Sequence, residues 1–359
     1  MQINEIPEFV NREKELKEFK ALLSGRPNLV YFVYGPINSG KTALLMKVFE
    51  ELPENYCVFY INFRGLEGGY AKLMRAFFRL GDESLWKKIK GKASIIAGAI
   101  EYVEKVARKF NTKIELPGEV IRLLSVGGED PEKIDVFDYL EGLMRRLKET
   151  GKTPVLIIDE MQVIKDELNA TGKPVLSRLF NFLVRLTKET HLCHCLCATS
   201  DCLFIEDIYN NARLEGRARY ILVDDLSKEE AFKVYEEFGF ENKELIWEYI
   251  GGKFGDMIRL YEDKKRGLSE EESLNEMLKS EKRRLEWIRL KKLRKRSDGK
   301  EIWEFLLNFR DSLEIEKAGA EEDFEKLLFW IEENVLFYNP LDGTVRPQTR
   351  LLYKVLTSI

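Results

Sequence analysis

The sequence predicts an α/β fold: a parallel sheet carrying a phosphate loop, then a helical lid, then a smaller domain of helices closed by a hairpin. Three stretches predict it. The run Tyr31 to Thr42 reads YFVYGPINSGKT, an apolar strand that stops at Gly35 and fits G-x-x-x-x-G-K-[ST] at every fixed position. Thr153-Pro-Val-Leu-Ile-Ile-Asp159-Glu160 is a continuously apolar strand that ends in two carboxylates, as a buried parallel strand delivering acids to a phosphate site should. Near the C-terminus, Asp342-Gly343 lies between the apolar runs Val335 to Tyr338 and Thr344 to Pro347, a strong short-range hairpin signal.

The phosphate loop has the right context. Leu29 to Tyr34 is short, aromatic and β-branched, and Ala43 to Leu52 has helical apolar spacing, so the loop joins a strand to a helix. The two glycines let the backbone N–H groups of Gly35, Ile37, Asn38, Ser39 and Gly40 curl toward an anion, with Pro36, which has no N–H, shaping the loop between them. The helix opened by Lys41, Thr42 and Ala43 adds its positive end. Lys41 is expected to reach the β- and γ-phosphates, and the Thr42 hydroxyl to hold Mg²⁺. Asp159 is expected in the Mg²⁺ shell and Glu160 as the general base on the attacking water. A chance glycine turn and an ordinary acidic loop are the competing readings, and each is weakened by the presence of the other motif.

Composition bounds the rest. A chain of 359 residues is long for one core, which predicts two or three domains. With 33% charged and 44% hydrophobic residues it reads as globular, and no apolar run approaches the roughly 20 residues of a membrane helix. The opening MQINEIPEFVNREKEL lacks a basic leader with an apolar core, so a cytoplasmic protein without a membrane partner is expected. The formal charge is −4 but unevenly spread: residues 281–300 hold ten Lys or Arg against three acids, a net +7 that leaves −11 elsewhere.

In chain order, Leu16, Phe19, Leu22 and Leu23 mark a first amphipathic helix, and Tyr56 to Phe63 a second core strand. Between Leu66 and Thr150 the pattern is mostly helical, at Tyr70 to Leu80, Ala93 to Phe110 and Val136 to Glu149, and longer than a crossover needs, so an insertion is expected around 66–150. Pro174 to Glu189 is helical. The following stretch carries both histidines and four of the five cysteines, but Cys193, Cys195 and Cys197 alternate with His194 at period two with no C-x-x-C pair, which favours a buried strand over a zinc site. Its polar end, Thr199-Ser200-Asp201, falls where a side chain can sense a γ-phosphate, or merely caps the strand. Arg213, Arg217 and Arg219 precede the strand Tyr220 to Val223, and an arginine here either stabilises transferring charge or is simply solvated. Ser227 with Glu230, and Ser269 with Glu272, are capping boxes. The first opens a helical lid that includes the turn Gly251 to Arg259, and the second a long helix that runs into the basic segment. Helices around Phe324 to Asn334 followed by the Asp342-Gly343 hairpin predict a winged-helix domain. The expected division is a core over 1–226, a lid over 227–275, and a basic helix with winged helix over 276–359.

Taken in order, Phe9 to Leu16, Gly35 to Thr42, Ile157 to Gln162, Thr199-Ser200, Gly216-Arg217-Ala218, the Gly251-Gly252 turn and the tail resemble the archaeal Walker-type ATPase family, related to the AAA+ and STAND nucleotide switches. The resemblance implies a sheet with the phosphate-loop strand flanked by the Asp159 and sensor strands on one side and an outer strand on the other. It implies that the Arg12 segment lies near the adenine, that Thr199 or Ser200 is the sensor, and that Arg217 is the finger arginine. Gly255-Asp256-x-x-Arg259 resembles the sensor-2 turn of archaeal origin-recognition ATPases, which implies Arg259 on the γ-phosphate, and by analogy Asn62 would hold Glu160 inactive. The expected ligands are ATP or ADP with Mg²⁺. Two roles stay open: a hydrolysing switch acting on DNA or other nucleic acid through residues 281–300 and the winged helix, or a signalling or assembly ATPase whose winged helix contacts a protein partner, a homo-oligomer or its own core. A small-molecule kinase is disfavoured by Glu160 and the tail.

Overall fold

The computed structural model describes residues 12–63, 93–96, 136–163, 175–310, 315–316 and 321–359. The chain divides into two compact units. One comprises 14–34 and 44–222; the other comprises 1–13, 35–43 and 223–359, so the phosphate loop groups with the C-terminal half.

The first unit is a six-stranded parallel sheet. Its strands are β1 (Val30–Tyr34), β2 (Tyr56–Asn62), β3 (Ala93–Ile96), β4 (Thr153–Asp159), β5 (His194–Thr199) and β6 (Ala218–Leu222), in the order β3-β2-β4-β5-β1-β6. The phosphate-loop strand β1 therefore has β4 and β5 on one side and β6 on the other. Strands β1, β2, β4 and β5 are apolar along nearly their whole length because helices cover both faces of such a sheet. Helix α1 (Glu13–Ser24) buries Phe19 and Leu23, while α2 (Lys41–Glu50) follows the phosphate loop. Helix α3 (Val136–Glu149) buries Phe137, Leu140, Met144 and Leu147 at helical spacing. Helix α4 (Val175–Val184) ends in a π-turn over Arg185–Glu189, and α5 (Cys202–Tyr209) is capped by Asp201, which accepts from the amides of Leu203 and Phe204.

Ala93 was expected to open a helix running to Phe110, but Ala93–Ile96 is a strand that extends the sheet beside β2. Four residues with Ile-Ile at their end satisfy a backbone edge as readily as a helical turn, and pairing with β2 decides between them. The expected helix Tyr70 to Leu80 and the rest of the 66–150 insertion before residue 136 lie outside the described residues.

The cysteine-rich stretch is a core strand. Cys193, Cys195 and Cys197 are free and buried, as is Cys57, whose thiol burial pushes up to about 12. Among the described residues no cluster of His, Cys, Asp and Glu is arranged to hold a metal ion. His194, on the same strand, is fully buried, and burial, helped by the Lys148 charge, pushes its imidazole down to about 4. An unfolded histidine titrates near 6.5, so below that pH the unfolded chain takes up a proton that the folded one refuses until about 4. This contribution to stability is complete above pH 6.5 and declines as pH falls toward 4. Urea unfolding should show a loss of about 2 kcal/mol from pH 7 to pH 5 that His194→Leu removes; an unchanged pH dependence in that variant refutes it.

The second unit packs the helices of residues 228–265 and the C-terminal region on one apolar core that includes Val234, Tyr235, Ile246, Met257, Leu260, Met277 and Leu351. Where a lid was expected stand the helices α6 (Lys228–Glu237), α7 (Lys243–Ile250) and α8 (Phe254–Lys265), so much of the expected Gly251 to Arg259 turn is helical. Both capping boxes form, at Ser227 with Glu230 and at Ser269 with Glu272, the second opening the 22-residue helix α9 (Glu270–Lys291). Next come α10 (Gly299–Leu307), β7 (Ile315–Glu316), α11 (Glu321–Glu332), β8 (Leu336–Asn339), β9 (Thr344–Pro347) and α12 (Arg350–Thr357). β8 and β9 pair antiparallel, with β7 on the other edge of β9. The hairpin turn forms where Asp342-Gly343 predicts it: Gly343 takes a positive φ of 77°, and the Asp342 carboxylate accepts from the amide of Thr344 at 2.9 Å. No helix among the described residues is long and apolar enough to cross a membrane.

Candidate functional site

The phosphate loop is shaped by its backbone. A Cβ on Gly35 would lie 2.1 Å from the carbonyl oxygen of Val223, so only glycine fits there, and Gly40 takes a φ of 90°. Asn38 also has a positive φ, of 61°, which asparagine tolerates better than most residues. Lys41 is buried with its Nζ folded back on the loop, donating to the carbonyl oxygens of Gly35 at 3.0 Å and Pro36 at 2.8 Å. Thr42 and Ala43 follow it on the first turn of α2, both half-buried. The Ser39 hydroxyl is buried without a hydrogen-bond partner among the described residues, and a polar group left so inside a cradle of turned amides suits an incoming phosphate oxygen.

Two further side chains, Arg12 and Lys253, bond this loop directly. Arg12 is buried at a φ of 88°, and its guanidinium donates to the carbonyl oxygens of Ser39 at 2.6 Å and Asp224 at 2.5 Å. Arg346, on β9, pairs with the carboxylate of the same Asp224. The contacts thus run without a break from the C-terminal hairpin through Asp224 and Arg12 to the phosphate loop. Lys253, 3% exposed at the start of α8, donates to the carbonyl oxygen of Ile37 at 3.1 Å and pairs with Asp225 at 3.0 Å. One turn on, burial raises the Asp256 carboxyl to about 6 against the opposing pull of Lys253. Arg259 is exposed on the same helix, and its charge also acts on Asp256.

The carboxylates lie in the other unit, at the end of β4. Strand register sets Asn62 beside Asp159 and Tyr34 beside Thr199, so the polar ends of four neighbouring strands share one edge. Asp159 is buried and accepts from the Tyr60 hydroxyl at 2.7 Å and from the Glu160 amide at 2.9 Å. Burial and the Asp159 charge raise the Tyr60 phenol, which keeps its proton to donate. Asn62 donates to that same hydroxyl at 3.3 Å. Glu160, 7% exposed, sits at a φ of 55°, a left-handed conformation that costs a non-glycine residue about 1–2 kcal/mol and so marks a constrained position. Its carboxylate accepts from the Gln162 amide at 2.6 Å, and the Gln162 carbonyl accepts from the Thr199 hydroxyl at 2.7 Å. The half-buried Ser200 makes no side-chain hydrogen bond among the described residues. Arg217 is exposed before β6; its side chain donates to the Arg213 carbonyl at 3.1 Å, with no carboxylate partner among the described residues.

Of the expected site residues, then, Arg12 and the loop Gly35 to Ala43 are brought together in one unit, and Asp159 and Glu160 in the other. Among the described residues no hydrogen bond joins Ser200, Arg217 or Arg259 to those groups. Sequence reasoning missed Tyr60, Lys253 and a structural part for Gln162. The signal for Tyr60 was its place two residues before Asn62, on one face of β2; Lys253 had none beyond lying inside a glycine-rich turn.

Comparison with known proteins gives a consistent picture. Residues 9–260 match the model of an ATPase domain found predominantly in Archaea, and residues 271–359 match the C-terminal domain of proteins like the uncharacterized ATP-binding protein MJ1010. The uncharacterized ATP-binding protein MJ0075 of Methanocaldococcus jannaschii is 35% identical, covering 99% of each chain. MJ0147 of the same organism, also an uncharacterized ATP-binding protein, is 38% identical over 98% of this chain and 97% of its own. Among solved structures, the Walker-type ATPase paby2304 of Pyrococcus abyssi shares the fold with a TM-score of 0.65 at 17% identity, covering 97% of this chain and 96% of that one.

Proposed function

The chain belongs to the family of ATPase domains found predominantly in Archaea, and from that premise we propose that it is a cytoplasmic, Mg²⁺-dependent, ATP-hydrolysing switch that acts on nucleic acid through its C-terminal region. The observation that carries the hydrolytic reading is Glu160, a second buried carboxylate beside Asp159, held by Gln162 at a strained backbone position. Binding alone requires only the phosphate loop and a metal acid; a fixed neighbouring carboxylate supplies a base.

In this reading the amides from Gly35 to Ala43 hold the phosphates, and Lys41 exchanges its loop carbonyls for the β- and γ-phosphate oxygens. The unpartnered Ser39 hydroxyl gains an acceptor, and Arg12 fixes the loop at its nucleotide edge. Thr42 and Asp159 would hold Mg²⁺, which would supply charge neutralisation at the phosphates. Glu160 takes the proton of the attacking water. Thr199, already linked to Glu160 through Gln162, serves as the sensor in preference to the unlinked Ser200. Arg217, exposed and without a carboxylate partner among the described residues, suits a finger that acts on the site of a second copy, and Arg259 serves as the lid arginine. Residues 1–226 form the catalytic core, 227–275 the lid, and 276–359 a basic helix with a winged-helix domain built on the β8–β9 hairpin.

One observation favours a second role. The link Arg346–Asp224–Arg12–Ser39 joins the C-terminal hairpin to the phosphate loop, which suits a signalling or assembly ATPase whose tail works on its own nucleotide site. ATP turnover measured across a salt series, with and without single- and double-stranded DNA and RNA, separates the two. Salt-sensitive binding that changes turnover at least several-fold is expected, because each neutralised phosphate adds to the salt slope. Turnover that ignores every nucleic acid would transfer the assignment to the protein-directed switch.

A further inference from the structure

The basic segment splits into two sets. Five of its ten cations are engaged within the protein. Arg284 pairs with Glu281 and donates to the Glu333 carbonyl, Lys292 pairs with Glu333, Arg296 with Asp298 and Lys300 with Glu304, and Arg289 lies 4.5 Å over the Trp303 ring. The others, Lys282, Arg283, Lys291, Arg294 and Lys295, are exposed and have no ion pair or hydrogen bond among the described residues.

Helical geometry spreads the second set over the exposed half of α9, with Arg283 and Lys291 nearest Trp287. Leu285 and Ile288 are buried and define the packed face of α9. At about 100° per residue, Arg283, Trp287 and Leu290 cluster opposite that face, Lys282 and Lys291 lie at the two edges of the exposed half with the exposed Glu286 on the Lys282 side, and Arg294 and Lys295 follow in the 3₁₀ turn Leu293–Lys295. Trp287 is 53% exposed and Leu290 59% exposed, two of the few large apolar side chains that face solvent. Lys292 sits 5.8 Å from the Trp287 ring centroid, which leaves much of the ring open.

An exposed indole flanked by the unpaired Arg283 and Lys291, with further cations along the same helix, suits a ligand with both a flat apolar face and a regular negative charge. We propose that this face of α9 binds single-stranded nucleic acid, with an unpaired base stacked on Trp287 and the flanking phosphates held by Lys282, Arg283, Lys291, Arg294 and Lys295. The inference rests on the nucleic-acid reading above and names the strand state. Bases in a duplex keep their faces inside the stack, where a side chain on a helix surface cannot lie against them, whereas single strands offer both face and phosphate. A lipid surface is disfavoured because Leu285 and Ile288 are committed to the protein core, which leaves an apolar stripe of two residues where an interfacial helix needs a broad face.

The test uses the full chain with a labelled oligothymidine, a duplex of equal length and anionic vesicles. Oligothymidine is expected to bind preferentially, with a log–log salt slope of about −3.5 for five phosphates on a single strand. Trp287→Ala should weaken that binding about 5- to 150-fold, the range for losing one stacked base. Trp287→Phe should retain most of it, and Lys282→Gln with Arg283→Gln should cut the slope by about 1.4. ATP turnover without nucleic acid should be unchanged in all three variants. Preference for the duplex, or oligothymidine binding indifferent to Trp287→Ala, overturns this inference and leaves the nucleic-acid reading standing. Binding to neither nucleic acid, with or without vesicle binding, overturns both.

Discussion

Replacing Lys41 with alanine should abolish ATP binding or reduce it at least ~100-fold, by the loss of charge-assisted hydrogen bonds to phosphate. Lys41 is buried and already turned into the loop, where its Nζ bridges the carbonyls of Gly35 and Pro36. Alanine removes the ligand-directed cation and also takes the Nζ donor from both carbonyls, leaving the Pro36 oxygen only the Ser39 amide at 3.3 Å among the described residues, so the empty loop loses order as well as charge. Titration with a fluorescent ATP analogue in the presence of Mg²⁺ measures the loss, and circular dichroism establishes that the variant folds. Unchanged affinity in a folded variant would remove the phosphate-loop assignment.

Glu160→Gln should separate binding from hydrolysis. The amide keeps the size of the side chain and an oxygen able to accept from Gln162, now 2.6 Å from the carboxylate, but it cannot take a proton from water. Turnover should fall about 10²- to 10⁴-fold, the usual contribution of a positioned general base, with ATP affinity within a few-fold of the parent. Equal fluorescent-ATP titrations beside phosphate-release rates that differ by this factor are the expected pair of results. A variant as active as the parent would remove Glu160 as the base, and one that fails to bind ATP would make Glu160 a structural carboxylate. Tyr60 gives an internal comparison: its hydroxyl serves Asp159, so Tyr60→Phe should act on Mg²⁺ dependence more than on the proton step.

The sheet was legible because its signals are local. An apolar run of strand length must be buried, and the glycines of Gly35 to Thr42 and the acids of Asp159-Glu160 mark where such a run ends. The same holds for the two capping boxes and the Asp342-Gly343 hairpin, where neighbouring residues satisfy one another's backbone groups. The strand at Ala93 was misread for a helix because a short apolar run has no period of its own, and its partner, β2, is more than thirty residues away in sequence.

What sequence alone determined is therefore the covalent order of elements and the chemical types at the ends of strands: a lysine and a threonine after a glycine loop, two carboxylates after a buried strand, and a block of positive charge at 281–300. Tertiary structure alone decided which groups those residues use. It joined Tyr60 to Asp159 and Thr199 to Glu160 through Gln162, set Lys253 and Arg12 against the phosphate loop, and divided the basic block into five engaged cations and five open ones. The reason is range: propensity and capping act over a few residues, while a hydrogen bond such as Tyr60 to Asp159 spans 99 positions and exists only once strand register has been chosen.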